Sequence, residues 1–284
     1  MPSPSTSSSS LFSLTSDNLQ DINEQLSDAT PQEILTWSIE NIPNLFQTTA
    51  FGLTGVAALH MMKELREQKG MKQPPVIFID SLYHFPETLA LRDAIEFTYD
   101  VDVSTYTPQS ASTAKQFEDL YGKELWKNDA EAYDYLVKVE PARRAYEELD
   151  VRAVITGRRR SQGAARASLK PFEIDETGLI KVNPLCNWTF AEVKSYIDSH
   201  NVLYNPLLDK GYKSIGDWHS TSRPGAVKPN NDAADADERS GRWSGEEKTE
   251  CGLHRDYFKM RRAFEKKRRE AELMVRDQAN HPED

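Results

Sequence analysis

A chain of 284 residues with 38% apolar content has room for one large domain or two modest ones and enough hydrophobic mass to bury a core. Its formal net charge of −10, from 35 basic and 45 acidic residues, argues against general nucleic-acid binding, whose affinity comes largely from neutralising phosphates. No stretch nears the roughly 18 uninterrupted apolar residues of a membrane span, the opening MPSPSTSSSS lacks the regions of a signal peptide, and two cysteines match neither a zinc spacing nor a four-thiolate cluster. A soluble, cytoplasmic protein with reduced thiols is expected.

Residues 1–29 open on a serine-rich run and are expected to be disordered or weakly ordered. Thr30, Pro31 and Glu33 then give a capping-box start with proline at the first helical position, ahead of the apolar Ile34 and Trp37. NLFQTTA at 44, VIFID at 76, VDVSTY at 101 and VRAVIT at 151 read as strands, and the segments between them read as helices. Such alternation predicts an α/β fold with a doubly wound, mainly parallel sheet over residues 30–218. Beyond Pro171 the pattern weakens to LIKVNPL and a helix running from Thr189 to His200. Residues 219–255 have the Pro, Gly and Asp content of a flexible tail, which carries Cys251. The end, 256–284, reads as a charged helix: positions 255–276 hold nine Lys or Arg against four Asp or Glu, a solvated face or a basic patch.

Open α/β sheets bind ligands at the carboxyl ends of their strands. Polar residues collect at four such ends: Thr48 and Thr49, Asp80 and Ser81, Thr105 and Thr107, then Gly157 with Arg158, Arg159 and Arg160. Hydroxyls, backbone amides and a basic wall in one crevice suit a phosphorylated ligand. TTAFGLTG, after the first strand, fits either a phosphate-binding turn or an ordinary tight one, since it is neither a P-loop nor GxGxxG. Cys186, in VNPLCNWTF, reads as a packed core thiol. Cys251 lies among Lys248, Glu250, His254 and Arg255; cations lower a thiol pKa, so it is the candidate nucleophile.

ECGLH at 250–254 and DSLYHFPET at 80–88 resemble signatures of the phosphoadenylyl-sulfate (PAPS) reductase family, and TTAFGLTGVAALHM resembles its modified pyrophosphate loop. VKVEPARRA, GRRRSQGAAR, VNPLCNW, YNPLLDKGYKSIGD and ERSGRW match in order, so the resemblance spans roughly residues 35–255. It implies an adenine nucleotide alpha-hydrolase-like (PP-loop-like) fold and reduction of PAPS to sulfite and adenosine 3′,5′-bisphosphate in assimilatory sulfate reduction. The family's cluster-bearing members carry a cysteine pair before K-V-E-P and a C-x-x-C after S-I-G. This chain has Tyr135 to Lys138 and Asp217 to Ser220 there, which implies the cluster-free type, with no bound cofactor or metal and reduced thioredoxin as electron donor. A homodimer is also implied.

By the same resemblance, Cys251 is the catalytic thiol, and Thr48, Thr49, Phe51 and Gly52 hold nucleotide phosphate. Asp80 and Leu82 lie near the adenosine, and Lys138, Arg158, Arg159 and Arg166 contact phosphate or sulfate. Arg239, Arg242 and His254 join when the tail closes. The loop departs from the family's S-S-S at Ala50, which loses one hydroxyl. Three rivals share the nucleotide site: an FMN adenylyltransferase-like enzyme, an adenylyl-sulfate reductase, and a nucleotide-binding redox sensor that never turns over.

Overall fold

The computed structural model describes residues 14–15, 17–163, 166–222 and 252–280. Six short strands build its centre: β1 (Leu45–Thr48), β2 (Val76–Ile79), β3 (Val103–Tyr106), β4 (Ala153–Ile155), β5 (Phe172–Ile174) and β6 (Ile180–Val182). They lie in the order β3-β2-β1-β4-β6-β5, all parallel except β5, which runs antiparallel to β6. The expected doubly wound, mainly parallel sheet is what the chain forms. The strand order reverses between β1 and β4, and a crevice opens at such a switch point.

Alternation along β2 shows why the sheet is covered on both faces. Phe78 packs into the larger core with α2 (Pro31–Asn41), α3 (Leu53–Lys69) and α9 (Phe190–Ser199). Ile77 and Ile79 point the other way, onto Ala142 and Ala145 of α8 (Glu140–Glu148). All four β2 residues are buried, as a central parallel strand requires. Two capping boxes start helices where the sequence predicts them. Glu33 N–H donates to Thr30 Oγ1 at 3.3 Å while Thr30 N–H donates to Glu33, and Thr189 with Glu192 repeat the arrangement at α9.

Between α4 (Pro86–Tyr99) and α8 the chain forms α5 (Ala114–Tyr121), two short helices α6 (Leu125–Asn128) and α7 (Ala130–Asp134), and one π-helical turn, Tyr135–Val139. Rings of Tyr83, Phe117, Trp126, Tyr133, Trp218 and His219 pack together beside it; Trp126 and His219 stack at 4.1 Å. A final helix, α10 (Tyr257–Asn280), follows the tail. Among the described residues no helix is long and apolar enough to cross a membrane.

Within the segment 1–29, expected to be disordered or weakly ordered, residues 1–13 and 16 lie outside the described residues, and part of the rest is folded onto the core. Leu19–Gln25 form α1, and Leu14, Ile22 and Leu26 are buried in the main core. Asn23 explains the contact: its side-chain amide donates to the Phe172 carbonyl and accepts from the Phe172 N–H, each at 2.9 Å. The side chain thus stands in for a neighbouring strand on β5.

Candidate active site

A cavity of about 310 Å³ lies where the carboxyl ends of β1 and β4 diverge. Its first wall is the β1–α3 turn. Thr48 Oγ1 shares a hydrogen bond with the Tyr146 hydroxyl of α8 at 3.1 Å, and Thr49 Oγ1 accepts from Phe51 N–H at 2.9 Å. Phe51 holds a left-handed backbone, φ 56°, which sends its ring into the core against Phe78. Its contribution to the cavity is therefore backbone. Gly52 is the N-cap of α3, with no side chain capping it, so the first-turn amides of a 17-residue helix face the cavity wall without intrahelical partners. Gly55 permits this turn, because a Cβ there would overlap Thr49 Oγ1.

The second wall follows β4. Arg158 lines the cavity and donates from Nη2 to Glu173 Oε2 at 2.5 Å; Arg166 lines it too and is steadied by Gln162 Oε1. Arg159, expected to contact phosphate or sulfate, takes a different place from its neighbour. It is fully buried, absent from the cavity wall, and directs its guanidinium to Thr54 Oγ1 at 3.0 Å, Ser161 Oγ at 2.9 Å and the Trp188 carbonyl at 3.3 Å. It braces the first turn of α3 from behind. Three consecutive arginines thus avoid mutual repulsion by facing different ways, with Arg160 bound to the Leu169 carbonyl.

Asp80 and Leu82 are also not in the wall. Asp80 Oδ1 accepts from Leu82 N–H at 2.8 Å, and Leu82, with φ 70°, turns toward the aromatic cluster. Their neighbours Ser81 and His84 line the cavity instead. Ser81 Oγ donates to Asp217 Oδ1 at 2.5 Å, and Lys138 of the π turn places Nζ 2.6 Å from Asp217 Oδ2 and 3.3 Å from Asp134 Oδ1. Tyr133 hydroxyl donates to Asp217 Oδ2 at 3.2 Å, so His219 Nε2, 2.9 Å from the same hydroxyl, acts as donor to it. Burial alone would raise the Asp217 carboxyl, but the charges of Lys138 and His84 and the bonds from Lys138 and Ser81 hold it well below the usual carboxylate range.

Residue type alone did not single out Gln162, Lys181 and Lys213, which also line the cavity; the block YNPLLDKGYKSIGD contains Lys213 and was the available signal. The third-strand threonines, Thr105 and Thr107, are not in the wall. The tail returns to it: Gly252, Leu253, Arg255 and Tyr257 line the cavity, and Leu253 packs on the layer containing Ile79, Ala142, Val154 and Leu179. Arg239, Arg242 and Cys251 lie outside the described residues, as does the side chain of His254, whose backbone belongs to the short 3₁₀ turn Gly252–His254. Cys186 is the buried thiol expected, and burial pushes its pKa up.

Fold and cavity together define a doubly wound α/β protein that gathers helix-terminal amides and guanidinium groups at its switch point, an arrangement whose chemistry suits an anion. The sequence profile of the phosphoadenosine phosphosulfate reductase domain matches residues 44–223, and the chain belongs to that family. It is 51% identical over 247 residues to the phosphoadenosine phosphosulfate reductase of Saccharomyces cerevisiae, covering 85% of this chain and 91% of that one. The crystal structure of PAPS reductase from Candida auris, a phosphate complex, is 46% identical with a TM-score of 0.68, covering 74% of this chain and 99% of that one. Candida glabrata FMN adenylyltransferase, in complex with FAD and inorganic pyrophosphate, is 15% identical with a TM-score of 0.51 over 86% of this chain and 82% of its own, a likeness of fold alone.

Proposed function

We propose that the protein reduces 3′-phosphoadenylyl sulfate to sulfite and adenosine 3′,5′-bisphosphate, with Cys251 as nucleophile and a thioredoxin-type dithiol as reductant. The observation that carries this is the tail's return: Gly252, bonded to Cys251, lines the same cavity as Arg158, Arg166 and the β1–α3 turn. Leu253 and Arg255 line it as well, which supports a part for this segment in the chemistry of the cavity.

The Cys251 thiolate attacks the sulfur of the sulfuryl group. An S–S bond forms, the bond from sulfur to the bridging phosphate oxygen breaks, and its electron pair leaves on adenosine 3′,5′-bisphosphate. The amides of the β1–α3 turn and the guanidinium groups of Arg158 and Arg166 stabilise charge on the departing phosphate and lessen repulsion between two anions. An external thiolate then attacks Cys251 Sγ and expels sulfite, and its partner thiol resolves the mixed disulfide. The dithiol is oxidised by two electrons and sulfur is reduced by two. Cys186 is too buried to act as resolving thiol, which favours an external donor.

The cluster-free assignment rests on chemistry of the sequence: two cysteines cannot supply the four thiolates of the usual cluster. Where cluster-bearing members are expected to hold cysteines, Lys138 meets Asp217 and His219 stacks on Trp126. A homodimer in the cytoplasm, and the closing roles of Arg239, Arg242 and His254, belong to this proposal through the family resemblance.

Sulfur-labelled PAPS with reduced thioredoxin tests it, comparing wild type, Cys251→Ser and adenylyl sulfate as substrate. Sulfite from PAPS only, lost in the serine variant, is expected. A folded wild type that binds the bisphosphate and releases no sulfite overturns the enzyme assignment in favour of the sensor.

A further inference from the structure

The helix α10 lies beyond the span matched by the family profile, yet its first turns are docked rather than solvated. Tyr257, Met260 and Phe264 recur at helical spacing and meet one patch formed by Tyr135, Leu136 and Val139 of the π turn. Met260 is 1% exposed, and the Phe264 ring stacks on Tyr135 with centroids 4.8 Å apart. Polar ties surround the patch: Tyr257 N–H to Glu176 Oε1 at 2.7 Å, Arg255 to Glu131 at 3.2 Å, and Lys267 to Asp129 at 2.8 Å. Farther along, Leu273 and Met274 are 57% and 66% exposed, so the docked part ends near Lys267.

The same π turn seats the tail. A methyl group built on Gly252 would lie 2.9 Å from Asp134 Cβ and 3.2 Å from Val139 Cγ2, closer than a side chain tolerates. Val139 therefore touches Gly252 on one side and packs with Met260 on the other. Lys138, its neighbour, enters the cavity. Only eight positions separate Gly252 from Met260, and the link is folded on itself, with Arg255 N–H on the Gly252 carbonyl and Met260 N–H on the Asp256 carbonyl. Fixing Met260 consequently fixes the place where the tail meets the cavity.

We propose that α10 is the anchor of the Cys251 segment, with Met260 and Phe264 as positioning residues for the nucleophile that, on the function proposed above, attacks PAPS. Neither side chain lines the cavity. Anchoring the chain directly after a nucleophile raises the effective concentration of that nucleophile at the cavity, which favours the bond-forming step and leaves nucleotide binding unaltered.

The test compares wild type, Met260→Ala/Phe264→Ala, the conservative Phe264→Tyr and a chain ending at residue 258, which keeps the cavity residue Tyr257. Three readouts are taken: calorimetric affinity for adenosine 3′,5′-bisphosphate, single-turnover formation of S-sulfonated Cys251 by mass spectrometry, and the rate of iodoacetamide alkylation of Cys251 with bisphosphate bound. In the alanine pair and the truncation, affinity is expected to stay unchanged, sulfonation to slow by about tenfold to hundredfold with kcat falling and KM steady, and alkylation to quicken. Phe264→Tyr is expected to behave as wild type. Unchanged sulfonation and alkylation rates in the alanine pair and the truncation overturn the anchor. If wild type makes no sulfonated cysteine at all, the proposed reaction fails, and the alkylation rates still decide whether α10 anchors the tail.

Discussion

Lys138 Nζ sits 2.6 Å from Asp217 Oδ2, and the two side chains are almost wholly shielded from solvent although both border the cavity. The pair joins the π turn to the loop after Gly216 and, through Ser81, to the end of β2. A buried ion pair of this kind contributes less through its own attraction than through what its loss leaves behind. Lys138→Met strands Asp217 beside Asp134 and is expected to destabilise the protein by about 3–5 kcal/mol, measured by urea unfolding. Because the folded carboxyl of Asp217 is depressed, its contribution is present above its unfolded value of 3.8 and is lost as pH falls below it. The gap in unfolding midpoint between wild type and Asp217→Asn should therefore hold steady from about pH 7 to about pH 5 and narrow progressively below about pH 4. A constant gap would show that shape, and not charge, holds the site.

Arg158 and Arg159 are adjacent in sequence and separate in role. Arg159→Met removes a guanidinium that satisfies Thr54, Ser161 and the Trp188 carbonyl, and is expected to cost about 2–4 kcal/mol of stability. Arg158→Gln loses the ion pair with Glu173, whose carboxylate is about a third exposed, and is expected to cost less stability than Arg159→Met. Its expected defect is in bisphosphate affinity. Parallel calorimetry and thermal unfolding of the two variants separate these outcomes, and equal stability losses would contradict the assignment.

Gly55→Ala pushes a methyl group onto Thr49 Oγ1 and should displace the β1–α3 turn. Bisphosphate affinity is expected to weaken by about tenfold to hundredfold, matching about 1–3 kcal/mol of overpacking. Thr49→Ala in the same chain removes the clashing oxygen, so the double variant should recover stability relative to Gly55→Ala alone. A purely additive double variant would mean that the two residues do not meet.

The two thiols should differ in alkylation. Burial raises the pKa of Cys186, which keeps it protonated and unreactive at neutral pH. A raised thiol pKa also means that Cys186 opposes folding increasingly as pH rises past its unfolded value of 9.0, since the unfolded chain ionises first. Peptide mapping after brief iodoacetamide treatment of native protein at neutral pH should show label on Cys251 alone, with Cys186 modified only after denaturation. Native labelling of Cys186 would reopen it as a resolving thiol.

Much of this architecture was legible because periodicity and capping are local. The four strands that read clearly, the two capping boxes and the gathering of polar residues at strand ends needed only neighbouring residues to recognise. What escaped depends on distant partners. β5 is three residues, too short for alternation to register, and exists because β6 and Asn23 pair with it. The inward turn of Arg159 is dictated by Thr54 and Trp188, far away in sequence. Asp217 was noted for what it is not, a cysteine, while its role as partner to Lys138 required the loop to fold over the π turn. The charge of α10 likewise concealed three apolar residues whose seat lies more than a hundred positions earlier.

The reciprocal bonds between Asn23 and Phe172 bear on solubility. β5 is the last strand of the sheet, and an outermost strand offers free amides and carbonyls to any other chain that can pair with them. The carboxamide of Asn23 occupies the Phe172 groups without being a strand itself, so it blocks that edge where a backbone would have extended it. A version of the protein trimmed to begin at residue 30 retains every cavity residue, but it bares this edge together with the apolar surface under Ile22 and Leu26, and self-association through the bared strand is its expected failure, to be read by light scattering.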